Sequence, residues 1–127
     1  MEIAHIALGY HQRIVPTPMD VPMIMKQNEK IPLAIWRMDL LDKAVKTWGI
    51  DAQLDMLIEE CGELIVAIQH LKRKRVGWDA VAEEIIDVEI MSGQIKMFIN
   101  NNELLDGIET KKYERLVGRL NAHNKKE

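Results

Sequence analysis

The sequence predicts an all-α fold, a bundle of about four helices, and three observations support it. All four prolines, Pro16, Pro18, Pro22 and Pro32, fall in the first quarter of the chain. No strand-type alternation of useful length follows them. Apolar residues instead recur at i, i+3, i+4, i+7 between Gly- and Asn-containing breaks.

At 127 residues the chain has room for one domain with its own hydrophobic core. A hydrophobic fraction of 47% beside 29% charged residues suits a globular protein and is too apolar for a disordered one. The formal net charge of -3 supplies no general positive field for nucleic acid or an anionic membrane, so neither is expected as a partner. One cysteine, Cys61, excludes an intrachain disulfide framework and a multi-cysteine zinc site, which suits a reducing compartment and a cytoplasmic location. The opening "MEIAHIALGYHQR" lacks the basic start of a signal peptide, and no apolar run approaches the length of a membrane span.

Residues 1–32 read as an extended, Met-rich, Pro-rich N-terminal arm, because so many prolines preclude one regular helix. Its methionines suggest that it packs on the bundle or on a neighbouring subunit. Residues 33–127 read as the helical domain. A first helix is expected over about Leu33 to Thr47, ended by Gly49 as a left-handed residue. Asp51 is the candidate N-cap of a second, about Ala52 to Arg75, which stops near Gly77. Asp79 is the candidate cap of a third, about Ala80 to Ile99, which "NNNE" breaks. A fourth runs from about Glu103 to Ala122, weakened slightly by Gly107 and Gly118.

The stretch "LIEECGELIVAIQHLKRKRVGWDAVAEEIIDVEIM" places five carboxylates in what otherwise reads as core helix: Glu59, Glu60, Glu63, Glu84 and Asp87. On the third helix, Ala80, Val88, Met91, Ile95 and Phe98 fall within roughly 40° of Glu84, and Asp87 within about 60°. Both acids therefore sit in the apolar stripe, whereas Glu89 and Lys96 point nearly the opposite way. On the second helix Leu54, Leu57, Ile58, Cys61, Leu64, Ile65, Ile68 and Leu71 form the expected core face. Glu60 and Glu63 run beside it with Met56 and Ala67, while Glu59 lies at about 170° from its centre.

Unpaired carboxylates at such positions are costly and tend to take up protons. Two i, i+3 acid pairs on adjacent helices converge their oxygens, a donor set for a hard divalent cation: Mg²⁺, with Mn²⁺ able to substitute. The alternative is that these acids form salt bridges or line a solvated groove. A ferritin-like di-iron centre needs Glu-x-x-His, and no histidine stands three residues after any of these glutamates.

Glu59-Glu60-Cys61-Gly62-Glu63 followed by Glu84-Ile85-Ile86-Asp87 resembles the EExxE and ExxD motif pair of the MazG-like all-α nucleoside triphosphate pyrophosphohydrolases. The flanking "KTWGIDAQLDMLIEECGELIVAI" and "EEIIDVEIM" look like the second and third helices of that family, so that the likeness covers about Leu33 to Leu120. The resemblance implies Mg²⁺-dependent hydrolysis of a (deoxy)nucleoside triphosphate to the monophosphate and pyrophosphate, a nucleotide house-cleaning activity. It implies that Glu60, Glu63, Glu84 and Asp87 hold the metal and that Glu59 orients the attacking water or holds a further ion. "TKKYERLVGRL" resembles the family's late Lys/Arg element, with Lys112 and Arg115 matching most closely and Lys111 and Arg119 nearby, as groups for the substrate phosphates. A homodimer or dimer-of-dimers tetramer is also implied, with sites partly formed across subunits. Two alternatives stay open: a relative specific for dUTP, dCTP or a modified nucleotide, and a non-catalytic metal-binding helical regulatory module.

The remaining features have plainer readings. "KRKR" at 72–75 closes the second helix, where cations offset the helix dipole. Cys61 is expected to be a buried small hydrophobe. Trp36, Trp48 and Trp78 are expected in the core or an interface, and His5, His11, His70 and His123 receive no role.

Overall fold

A computed structural model describes residues 30–126, which form four α-helices and, among these residues, no strand. They are α1 (Lys30–Trp48), α2 (Ile50–Lys72), α3 (Trp78–Ile99) and α4 (Asn102–Asn124). The expected arm lies outside the described residues except for its last three, which belong to α1. Pro32 stands in the first turn of α1, where the N–H it lacks has no intrahelical acceptor, so the helix starts before Leu33.

Each junction is built by the residues that the sequence singled out, often in a neighbouring role. Gly49 takes φ 84° between α1 and α2 and donates its N–H to the Val45 carbonyl at 2.8 Å. It is also the residue before α2, which therefore begins without a side-chain cap, and Asp51 sits in the first turn. Gly77 likewise precedes α3 in place of the expected Asp79, which falls in its first turn and complements the dipole there. Asn100 adopts the left-handed conformation that ends α3, and the Asn101 side chain accepts a hydrogen bond from the Leu104 N–H at 3.0 Å to open α4.

The antiparallel pair α2–α3 carries the most extensive packing, and α1 lies mainly against α3. The close approach of α1 depends on Gly93: a Cβ there would lie 2.9 Å from Leu41 Cδ1. Two i, i+4 ion pairs run along α1, Asp39–Lys43 at 2.6 Å and Asp42–Lys46 at 2.5 Å. Val45, Ala67, Val81 and Met91 are the buried apolar side chains, joined by the buried amides Gln53 and Gln94.

The α2 face that packs inward differs from the expected one. Gln53, Leu57, Glu60, Leu64, Ala67 and Leu71 are buried or half-buried, at alternating steps of four and three. Leu57, Leu64 and Leu71 were expected inside, whereas Leu54, Ile58, Cys61, Ile65 and Ile68 are exposed. A rotation of about 100° about the helix axis separates the two stripes, and α3 packs on the one that contains Glu60. Cys61 is therefore not a buried hydrophobe in this chain. On α3, Met91 is buried and Ala80, Val88 and Ile95 are half-buried as expected, but Phe98 and Asp87 are exposed. No residue of α4 is buried, and Trp48 and Trp78 are exposed as well.

Candidate metal centre

α2 and α3 run antiparallel with Glu60 level with Asp87 and Glu63 level with Glu84. The i, i+3 spacing on each helix turns both acids to the same flank of the pair, about 60° apart around each axis. Glu60, Glu84 and Asp87 each bring one carboxylate oxygen to within 4.8 Å of the others. Glu63 lies against Glu84 closely enough for a carboxyl–carboxyl hydrogen bond. Three of the five sequence-selected acids thus converge from two helices, with Glu63 beside Glu84.

Their electrostatics are those of crowded like charges. Burial, followed by the charges of Asp87, Glu63 and Glu59, raises the Glu60 carboxyl above its ordinary value of 4.5. Glu84 is raised by burial first, then by Glu63, Asp87 and Glu60, and by its hydrogen bond with Glu63. Glu84 Oε2 is buried without a hydrogen-bond partner. Among the described residues, no lysine, arginine or histidine makes an ion pair with any of these acids. The salt-bridge alternative has no pair to rest on among the described residues.

A cleft of about 530 Å³ opens beside the cluster between α2 and α3. Glu59, Glu63 and Glu84 border it, Val66, Val76 and Ala80 give it an apolar wall, and His70 stands farther along α2. Glu59 is exposed, at the cleft and outside the oxygen cluster. Gly62 also lines the cleft, and a Cβ there would meet nothing within 4 Å. His70 was assigned no role from sequence, yet a signal existed: Glu59, Glu63, Val66 and His70 follow one helical line at i, i+4, i+7, i+11.

Compared with known proteins, the chain matches no family model, no curated protein and no solved structure.

The donor set is three or four carboxylates with no nitrogen or sulfur, because Cys61 is turned to another side of α2. Hard oxygen donors around an unpartnered, partly buried oxygen fit a hard divalent cation and poorly suit a soft one. The sequence-selected cations are placed differently. Lys111, Lys112, Arg115 and Arg119 are exposed on α4; among the described residues none makes an ion pair with the acids, and none lines the cleft beside them. No helix of the described residues is long and apolar enough to cross a membrane.

Proposed function

We propose that the chain hydrolyses a (deoxy)nucleoside triphosphate to the monophosphate and pyrophosphate, using Mg²⁺ held by Glu60, Glu63, Glu84 and Asp87. The observation that carries this reading is the convergence of carboxylate oxygens from two helices, with no ion pair to them among the described residues. Fold alone would not distinguish this chemistry, but the acid spacing that resembles the EExxE and ExxD pair points to phosphoanhydride hydrolysis.

Burial and then the neighbouring carboxylates disfavour the ionised forms of Glu60 and Glu84, a penalty that a bound divalent cation would offset. Mg²⁺ held by these carboxylates would supply charge neutralisation at the phosphates and lower the pKa of the attacking water. Glu59, exposed at the edge of the cleft, orients the attacking water and accepts its proton. Attack at the α-phosphorus breaks the α–β anhydride bond and releases pyrophosphate. The cleft beside the acids accommodates the rest of the nucleotide, with Val66 and Val76 against its apolar surface and His70 within reach of a polar edge. Lys112 and Arg115, with Lys111 and Arg119, serve the phosphates from α4 once the chain is assembled as a homodimer or a dimer of dimers.

The test is to incubate the protein with Mg²⁺ and a panel of canonical, uracil-containing and modified triphosphates, and to quantify monophosphate and pyrophosphate. Equal amounts of the two products from at least one member are expected. Absence of turnover across the panel sinks the enzymatic reading and leaves a metal-binding helical module.

A further inference from the structure

The end of α2 gathers the densest positive charge of the chain. Lys72, Arg73, Lys74 and Arg75 follow one another, all are exposed, and no acidic residue stands between Glu63 and Asp79. Among the described residues none of the four makes an ion pair. Lys72 alone belongs to the last turn of α2, so offsetting the helix dipole accounts for one charge and leaves three.

The backbone ties those three to the cleft beside the acids. His70 and Val76, which bracket the tract, both line it. Arg73, at φ -87° and ψ 5°, stays close to helical and continues the line of Glu59, Glu63, Val66 and His70, about 60° from His70 around the axis. Lys72 is turned roughly 160° from His70 and points elsewhere. The chain then reverses: the N–H groups of Lys74 and Arg75 donate to the carbonyls of Leu71 and His70, each at 2.9 Å, which draws Arg75 back beside His70. Lys74 makes this reversal at φ 58°, a left-handed position that glycine usually fills. A lysine there adds a charge and strains the backbone.

The cleft thus has electrically opposite ends, Glu59, Glu63 and Glu84 at one and Arg73, Lys74 and Arg75 at the other, with an apolar wall between them. Seven residues, roughly 10 Å of helix, separate Glu63 from His70, a span that one nucleoside covers. We propose that Arg73, Lys74 and Arg75 form an anion subsite for a phosphate on the 3′ oxygen of the nucleotide whose 5′ phosphates lie at the acids. The proposal rests on the nucleotide reading and narrows its substrate class to triphosphates that carry a further phosphate on the sugar, as a free nucleotide or as the first residue of a strand. The 3′ oxygen is the position left open in ribo- and deoxyribonucleotides alike. A guanidinium meets phosphate oxygens with paired N–H donors, and the Lys74 ammonium adds a point charge. The net charge of -3 gives no general attraction for such a ligand, so the tract supplies it locally.

Binding without turnover tests this. The 3′,5′-bisphosphates of adenosine, guanosine, cytidine and uridine are titrated into the full chain with Mg²⁺, each beside its 5′-monophosphate, by calorimetry. At least one bisphosphate should bind about tenfold more tightly than its monophosphate. Arg73→Gln and Lys74→Gly should each remove most of that preference, whereas Lys72→Gln, with the same loss of charge on the far side of the helix, should keep it. Lys74→Gly should also melt no lower than the unaltered chain, because glycine relieves the left-handed position. Equal affinity for bisphosphate and monophosphate, no binding of either, or an equal loss in Lys72→Gln overturns the proposal. Triphosphate turnover without a bisphosphate preference sinks the subsite alone. A bisphosphate preference without turnover sinks the hydrolytic reading and leaves the subsite standing. The 5′-phosphorylated dinucleotide of the preferred base tells the two sources apart: affinity equal to the bisphosphate's assigns a strand end, and affinity equal to the monophosphate's assigns a free nucleotide.

Discussion

Glu63 on α2 and Glu84 on α3 meet across the helix pair as two acids within hydrogen-bonding reach. Such a contact is favourable when a proton is shared and unfavourable when both groups are ionised.

The stability of the metal-free chain should therefore fall with rising pH. Glu60 and Glu84 have folded-state values raised above 4.5, so the folded chain binds more protons than the unfolded one as both titrate. Their contribution is fully present below pH 4.5 and is lost as pH rises through the raised values. Chelator-treated protein, unfolded with urea from pH 4 to pH 8, should show this decline, and Glu84→Gln should flatten it. An unchanged slope in that variant would refute the assignment.

Divalent cation should reverse the effect. A ligand that binds only the folded state stabilises it by mass action, by about 2.7 kcal/mol at a concentration 100 times Kd. Because bound protons must leave, Mg²⁺ or Mn²⁺ should raise Tm more at pH 8 than at pH 5. Asp87→Asn and Glu60→Gln should lower cation affinity by more than about 100-fold while the fold persists, as read by calorimetry and circular dichroism, and should abolish turnover. Activity equal to that of the unaltered chain in either variant would exclude the proposed ligand set.

Gly62 offers a way to separate the cleft from the fold. An added methyl group meets no atom, so Gly62→Ala should stabilise α2 by about 0.5–1 kcal/mol through helix propensity. Gly62→Leu should fold equally well and raise KM by projecting into the cleft. Unchanged kinetics in Gly62→Leu would remove the cleft from the substrate path.

The opposite behaviour is expected at Gly93. A branched side chain there collides with Leu41, so Gly93→Val should cost about 1–3 kcal/mol. Much of this should be recovered in a Leu41→Ala background, measured as a double-mutant cycle. Additivity of the two changes would mean that α1 is held elsewhere.

Lys112→Ala and Arg115→Ala should each lower kcat/KM by about tenfold without moving Tm, since neither side chain is buried. A fall in Tm would instead assign them to packing.

Much of this architecture was legible in the sequence because its signals are local. Gly49, Gly77 and the Asn100–Asn101 pair mark the helix boundaries through backbone preferences that neighbours barely alter. Both caps shifted by two residues, from Asp51 to Gly49 and from Asp79 to Gly77, because a glycine at a junction can take the flanking conformation without a side-chain bond. The acid pairs were legible for the same reason: i, i+3 spacing puts two carboxylates on one flank wherever the helix lies.

What stayed hidden was the rotation of α2. Two apolar stripes share that helix, and propensity does not say which one faces α3. Periodicity favoured the continuous aliphatic line through Ile58, Cys61 and Ile65, yet packing placed Leu57, Glu60 and Leu64 inward. The sequence by itself determined four helices, their order and the spacing of the acids, since these follow from backbone geometry and residue type. Only the tertiary structure decided that Glu60 meets Asp87 and that Cys61 lies on a bare face, because each depends on a rotation that residues more than twenty positions apart settle by contact.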